Sequence, residues 1–198
     1  DLTQCVQLDS LNSRFHLAVG EIYFELSKRP NANGKYPSLV KHHLTKAIQL
    51  NEKDEKSPAL LGELMLAYKK YKEAIEHFNT SLKIEYNQAK THMLMGYAFK
   101  QLKQTDNAIN CFRNAVNVDP EFKEAFVQLG QMFHMKGDTI AVVYYNNALN
   151  LDPSDEMILY NKALFYQSIM DWNAALEAYA DLHKVSAFHS SGHYNIGF

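Results

Sequence analysis

Apolar positions along this chain follow two superimposed rhythms. Within Lys90 to Phe122 they mark two short amphipathic helices joined by a tight turn. Gly96 and Phe99 belong to the first helix, Ala108, Phe112 and Ala115 to the second, and Pro120 closes the stretch. The second rhythm is longer: Gly62, Met65, Ala74, Phe78 and Ser81 stand 34 residues earlier. Gly130 and Phe133 stand 34 residues later, followed one residue early by Ala141, Tyr145, Ala148 and Pro153. A further step reaches Ala163, Tyr166, Ala175, Tyr179 and Leu182. Such a period predicts a solenoid of helix pairs, in which a pair buries its apolar face only when a neighbour stacks on it. Gly62, Gly96 and Gly130 are expected where two helices nearly touch, with the aromatics filling the space beyond them.

These residues resemble the tetratricopeptide repeat (TPR). The resemblance lies in the small residue of the first helix, the large apolar residue three further on, and the small residue that opens the second helix. It extends to the aromatic four later, the Ala three after that, and Asp-Pro at Asp119-Pro120 and Asp152-Pro153. It implies an all-α, right-handed superhelical solenoid of antiparallel helix pairs.

On this reading residues 1–198 form one array. Residues 1–12 are the end of a preceding repeat, 13–54 a repeat with an inserted loop at 27–38, and 55–88, 89–122, 123–155 and 156–189 four further repeats. Residues 190–198 begin a truncated one. Pro30, Gly34 and Pro37 forbid a continuous helix through the insertion. Val40 and Ala74 are again 34 apart, so the insertion is local. Lys136-Gly137-Asp138 is expected to form a turn one residue shorter than its counterparts. The abrupt ends read as those of a window from a longer repeat protein.

Charge and composition narrow the function. A formal net charge of −2 with scattered Lys and Arg argues against a surface built for nucleic acid. No apolar run approaches membrane-spanning length, so no membrane insertion is expected. The two cysteines, Cys5 and Cys111, fall at interior helix positions and read as buried free thiols. They leave cytoplasmic and exported locations both open. Trp172, at the repeat position of Tyr71, is expected to pack over the corner between two helices.

Nine histidines raise the question of a metal or acid–base site. His42 and His43 are adjacent and so diverge on a helix, while His189 and His193 share a face but have no carboxylate near them in sequence. Glu73, Glu76 and His77 lie together without a catalytic partner or a phosphate-binding loop. No nucleophile, nucleotide-binding or zinc-hydrolase pattern is present. Neither a catalytic role, a cofactor nor a metal is expected.

Protein binding is then the leading expectation. The resemblance implies a concave groove lined by first helices, and the repeat spacing places Arg14, Glu21 and Phe24 there in the first repeat and Lys56, Glu63 and Leu66 in the second. Lys90, Met93, Tyr97 and Lys100 follow in the third, Gln131 and His134 in the fourth. Met157, Tyr160 and Leu164 come from the fifth, and Tyr194 begins the sixth. The co-chaperone members of the family hold acidic tails with paired Lys and Asn. Here those places carry Leu17 and Glu21, Ala59 and Glu63, or Met93 and Tyr97, so apolar anchors are expected instead. Two alternatives stay open: a structural spacer that self-associates through exposed repeat ends, and the recruiting arm of a larger enzyme.

Overall fold

The computed structural model describes residues 12–29 and 34–189. The described residues form ten α-helices and no strand. The fold is an all-α helical repeat. The fragments of neighbouring repeats expected at the two ends, with Cys5, His193 and Tyr194, lie outside the described residues apart from Asn12. The side chains of the His189–His193 pair likewise lie outside what is described.

The chain divides into two compact units, Asp1–Val118 and Asp119–Phe198. In the first, α1 (Ser13–Ser27) pairs with α2 (Tyr36–Leu50), α3 (Lys56–Ala67) with α4 (Tyr71–Ile84), and α5 (Ala89–Gln101) with α6 (Thr105–Val118). The first helices are also neighbours of one another, α1 with α3 and α3 with α5. In the second unit α7 (Lys123–Met135) pairs with α8 (Ile140–Leu151) and α9 (Glu156–Ser168) with α10 (Trp172–His189), and α7 neighbours α9.

One contact recurs inside the pairs and explains the small residues. A β-carbon built on Gly62 would lie 2.5 Å from the ring of Phe78, on Gly96 2.7 Å from Phe112, and on Gly130 2.5 Å from Tyr145. All three rings are fully buried. Burial of such a ring contributes about 1.5–3 kcal/mol, and only glycine lets the opposite helix approach closely enough to cover it. Ala163 takes the glycine's place on α9, and there the facing Tyr179 is only partly buried, its hydroxyl donating to Gln167 Oε1 at 3.0 Å.

The turns inside the pairs follow one plan. Lys69, Lys103, Gly137 and Met170 each adopt the left-handed conformation, with φ of 58°, 59°, 65° and 61°. The next residue's N–H reaches back five residues, Lys70 to Met65 O and Gln104 to Phe99 O at 2.9 Å, Asp138 to Phe133 O and Asp171 to Tyr166 O at 3.0 Å. This is the Schellman closure, which satisfies helix-end carbonyls. The expected short turn at Lys136-Gly137-Asp138 is therefore corrected: it matches the others through Gly137. The missing residue comes out of the start of α8, where Ala141 and Val142 make tight bonds to Asp138 O and Thr139 O, three residues back.

The connection between α1 and α2 spans residues 28–35, narrower than the expected loop at 27–38. Ser27 completes α1, its hydroxyl donating to Phe24 O at 2.6 Å. Pro37 lies in the first turn of α2, where a missing N–H leaves no helix bond unmade. Two polar side chains that enter the interior, Ser81 and Asp54, find backbone partners there. Ser81 stands where three other repeats have Ala47, Ala115 and Ala148, and donates to Glu55 O at 2.6 Å. Buried Asp54 accepts from the N–H groups of Lys56 and Ser57, at 3.0 and 3.2 Å, and from the Ser57 hydroxyl, holding the start of α3.

Candidate functional site

In the first unit the expected groove residues lie on α1, α3 and α5, and the structure brings some of them together. Lys90 Nζ, on α5, donates to Glu63 Oε1, on α3, at 2.7 Å. That bridge spans the two first helices on one surface, one turn from the half-buried Met93 and two turns from the half-buried Tyr97. Tyr97 lies edge-on to Phe112, centroids 5.6 Å apart, so its ring is anchored in the α5–α6 pair. It also lines an open recess with Leu66, Lys69, Tyr71 and Gln101. Lys100 is partly buried, which lowers its pKa by desolvation. Arg14, Glu21 and Lys56 are exposed on their helices.

Phe24 is not a surface residue, which corrects the expectation. It belongs to the interior cluster with Val40, Leu44, Leu61 and Phe78. Nearby on α1, Glu21, Ile22 and Glu25 line a shallow recess with Leu26 and Arg29.

In the second unit the candidates lie on α7 and α9. His134 packs edge-on against Phe165, centroids 5.3 Å apart, and its Nδ1 lies 3.3 Å from the Tyr145 hydroxyl. Burial lowers its pKa, so it presents a neutral imidazole near neutral pH. Gln131 and Leu164 are partly buried, and Tyr160, 47% exposed, lies edge-on to Tyr179 at 6.3 Å. Met157 is 68% exposed. The α9 start is held by Asp155, which accepts from the N–H groups of Met157 and Ile158. Lys123 bridges Asp152 at 2.8 Å and Asp155 at 2.9 Å, so these hydrogen bonds raise the lysine pKa and, with Ser154, lower that of Asp152.

Several other sequence features resolve without a site. Cys111 is a buried free thiol whose pKa desolvation pushes up to about 12, far from the thiolate form. Among the described residues no three His, Cys, Asp or Glu side chains gather in a metal-holding group, and no helix is long and apolar enough to cross a membrane. Glu73 and Glu76 are exposed, and desolvation is the largest influence on the partly buried His77, lowering its pKa. Trp172 departs from expectation: as the first residue of α10 it is 59% exposed. Its counterpart Tyr71, by contrast, is half-buried and lines the Tyr97 recess.

Sequence reasoning missed two features. One is the Glu63–Lys90 bridge, for which opposite charges at corresponding faces of successive first helices were the available signal. The other is a buried pair, His16 and His43, whose Nδ1 atoms lie 3.0 Å apart.

The arrangement is thus a helical-repeat surface of the scaffold class, with first helices ranked side by side within each unit. A TPR repeat family model matches residues 96–137. Tetratricopeptide repeat-containing protein trd-1 of Caenorhabditis elegans is 26% identical over 139 residues, 69% of this chain and 18% of that protein. Small glutamine-rich tetratricopeptide repeat-containing protein 2 of Mycosarcoma maydis is 30% identical over 98 residues, 49% of this chain and 28% of that one. The chain therefore spans less than a third of the length of either relative. Among solved structures, YrrB, described as a TPR protein with an unusual peptide-binding site, is similar with a TM-score of 0.76. Its identity is 17%, covering 95% of this chain and 93% of that one. A MamA structure gives 0.74 at 14% identity, covering 91% and 97%. Such identities speak to the fold alone. The chain is a tetratricopeptide-repeat protein, a fold that in general supports protein–protein interaction scaffolds.

Proposed function

We propose that the chain binds a segment of another protein on the surfaces of its first helices, α1, α3 and α5 in one unit and α7 and α9 in the other. The observation that carries this reading is the Lys90–Glu63 bridge, which makes α3 and α5 one continuous surface beside Tyr97 and its recess. A rigid phenol there supplies apolar area with little ordering entropy, and Leu66 and Tyr71 extend it. In the second unit exposed Met157 and Tyr160 offer the same chemistry, with neutral His134 and Gln131 as polar contacts. The ligand class is an extended or helical segment with apolar anchors rather than an acidic tail, because the Lys90 charge is already engaged by Glu63 and exposed Glu21 repels carboxylates.

The test is affinity capture of partners followed by calorimetry with the Tyr97→Ala/Tyr160→Ala double variant. A loss of roughly 2–4 kcal/mol is expected with the fold retained. Unchanged affinity would remove the first-helix assignment.

One observation favours a second reading, self-association. Leu176 on α10 is 69% exposed, whereas Ile109, at the corresponding place on α6, is 4% exposed. With Trp172 it forms an apolar strip at successive turns of one helix face. Sedimentation of the parent chain and a Trp172→Lys/Leu176→Lys variant decides it, since only a concentration-dependent parent with a monomeric variant supports this reading.

A further inference from the structure

The outer face of α2 differs in charge from the other second helices. From Leu26 to Asn51 the sequence holds five Lys and Arg and no Asp or Glu, in a chain whose net charge is −2. Among the described residues α4, α6 and α10 each carry both signs and α8 carries neither. With Lys41 and Lys46, α2 is the one second helix that is basic without a carboxylate. Ser38, Lys41, His42, Thr45, Lys46 and Gln49 line an open recess along it. At 3.6 residues per turn these six fall within one sector of about 140°, with Lys41 and Lys46 on its two edges. Between them stand the hydroxyls of Ser38 and Thr45, the His42 imidazole and the Gln49 amide, all exposed. We propose that this face is a docking surface for a short acidic segment of another protein, separate from the first-helix surface.

The physical case is positive charge left unpaired. Among the described residues Lys41 and Lys46 take part in no ion pair or hydrogen bond, whereas Lys28, Lys70, Lys90 and Lys123 all engage carboxylates. On the α4 side Lys41 acts on His77, which also feels Glu76 and Glu73. Glu73 is held by Lys70 at 3.1 Å, so that flank is mixed in sign, while Lys46 stands on the opposite edge of the face. Two lysines with hydrogen-bonding groups between them suit a chain whose carboxylates reach the edges and whose polar backbone meets the middle. No apolar anchor stands among the six, so the ligand class differs from that of the first-helix surface, where Tyr97 and Tyr160 supply apolar area. A nucleic acid fits less well, because two lysines neutralise only about two phosphates. A long polyanion would also run on over a remainder of the chain in which Asp and Glu outnumber Lys and Arg, whereas a short acidic segment stays within the basic face.

The test uses the full chain and a dye-labelled peptide that alternates Glu and Ser, read by fluorescence anisotropy at low salt. The parent should bind it, Lys41→Gln/Lys46→Gln should weaken binding about fivefold or more, and Lys41→Arg/Lys46→Arg should retain it. Raising the salt should remove most of the parent's affinity and little of what remains in the Gln variant. Tyr97→Ala/Tyr160→Ala should bind the peptide as the parent does, which separates this surface from the first-helix one. Absence of binding at low salt, equal affinity of the parent and the Gln variant, or loss of binding in the tyrosine variant would overturn the proposal. So would lysine substitutions that weaken binding of a DNA duplex or a phosphatidylserine vesicle and leave that of the peptide unchanged.

Discussion

In the first unit α3 and α5 meet across an ion pair, Lys90 on Glu63 at 2.7 Å. The corresponding positions in the second unit are Gln131 on α7 and Met157 on α9, an amide and a thioether that is 68% exposed. Both pairs of helices are neighbours, and both rest on a glycine under a buried ring. The interior contact thus sets which surface positions face each other, while the residues at those positions vary freely. Packing and recognition are separable in this fold, and each can be altered without the other.

The largest effects should come from breaking the shared interior. Gly96→Leu and Gly130→Leu push a side chain against Phe112 and Tyr145, where even a β-carbon would sit at 2.7 and 2.5 Å. Each should cost about 3 kcal/mol, at the upper end of overpacking, because a fully buried ring has nowhere to move. Denaturant midpoints check this, and parent-like values in either unit would separate the two glycines.

The turns sharpen the same comparison at smaller scale. Lys103 and Gly137 adopt the same left-handed conformation in different units. Lys103→Gly should stabilise by about 0.5–1 kcal/mol, the left-handed penalty less the added freedom of glycine in the unfolded chain, and Gly137→Ala should destabilise by about 1 kcal/mol. Thermal melts of the two variants should move in opposite directions. Shifts of the same sign would mean that contacts of the Lys103 side chain outweigh its backbone strain.

The smallest effect belongs to the surface bridge. Lys90 is 65% exposed and Glu63 17%, so solvent screens the pair, and Lys90→Met should change stability by no more than about 1 kcal/mol. Its larger consequence is for binding: the variant makes α3–α5 resemble α7–α9 and leaves Glu63 without its partner. Affinity for a captured partner in low and high salt should show a salt dependence for the parent that the variant changes.

The repeat itself was legible because its determinants are local and periodic. Gly62, Gly96 and Gly130 with Phe78, Phe112 and Tyr145 mark contacts that recur at a fixed interval, and a period survives without knowledge of the third dimension. What escaped was set by geometry that has no period. Phe24 carries the spacing of a surface residue, but its ring packs into the interior cluster beside Val40 and Leu44. Lys69, Lys103 and Met170 give no sign of a left-handed turn, since propensity assigns that role to glycine; the closing hydrogen bonds override it. Pro37 reads as a helix breaker unless it falls in the first turn, where it is tolerated. The His16–His43 contact joins residues 27 apart across an inserted connection, beyond the reach of any local pattern.

Photocrosslinking tests partner binding by the first-helix face directly. A photoreactive phenylalanine analogue is placed, one site at a time, at Tyr97 and Tyr160 on first helices and at exposed Asn110 and Asn146 on second helices, and irradiated with a captured partner. Cross-links from positions 97 and 160, and none from 110 and 146, are the predicted result. Cross-links from 110 and 146 alone would contradict it and move recognition to the second-helix face.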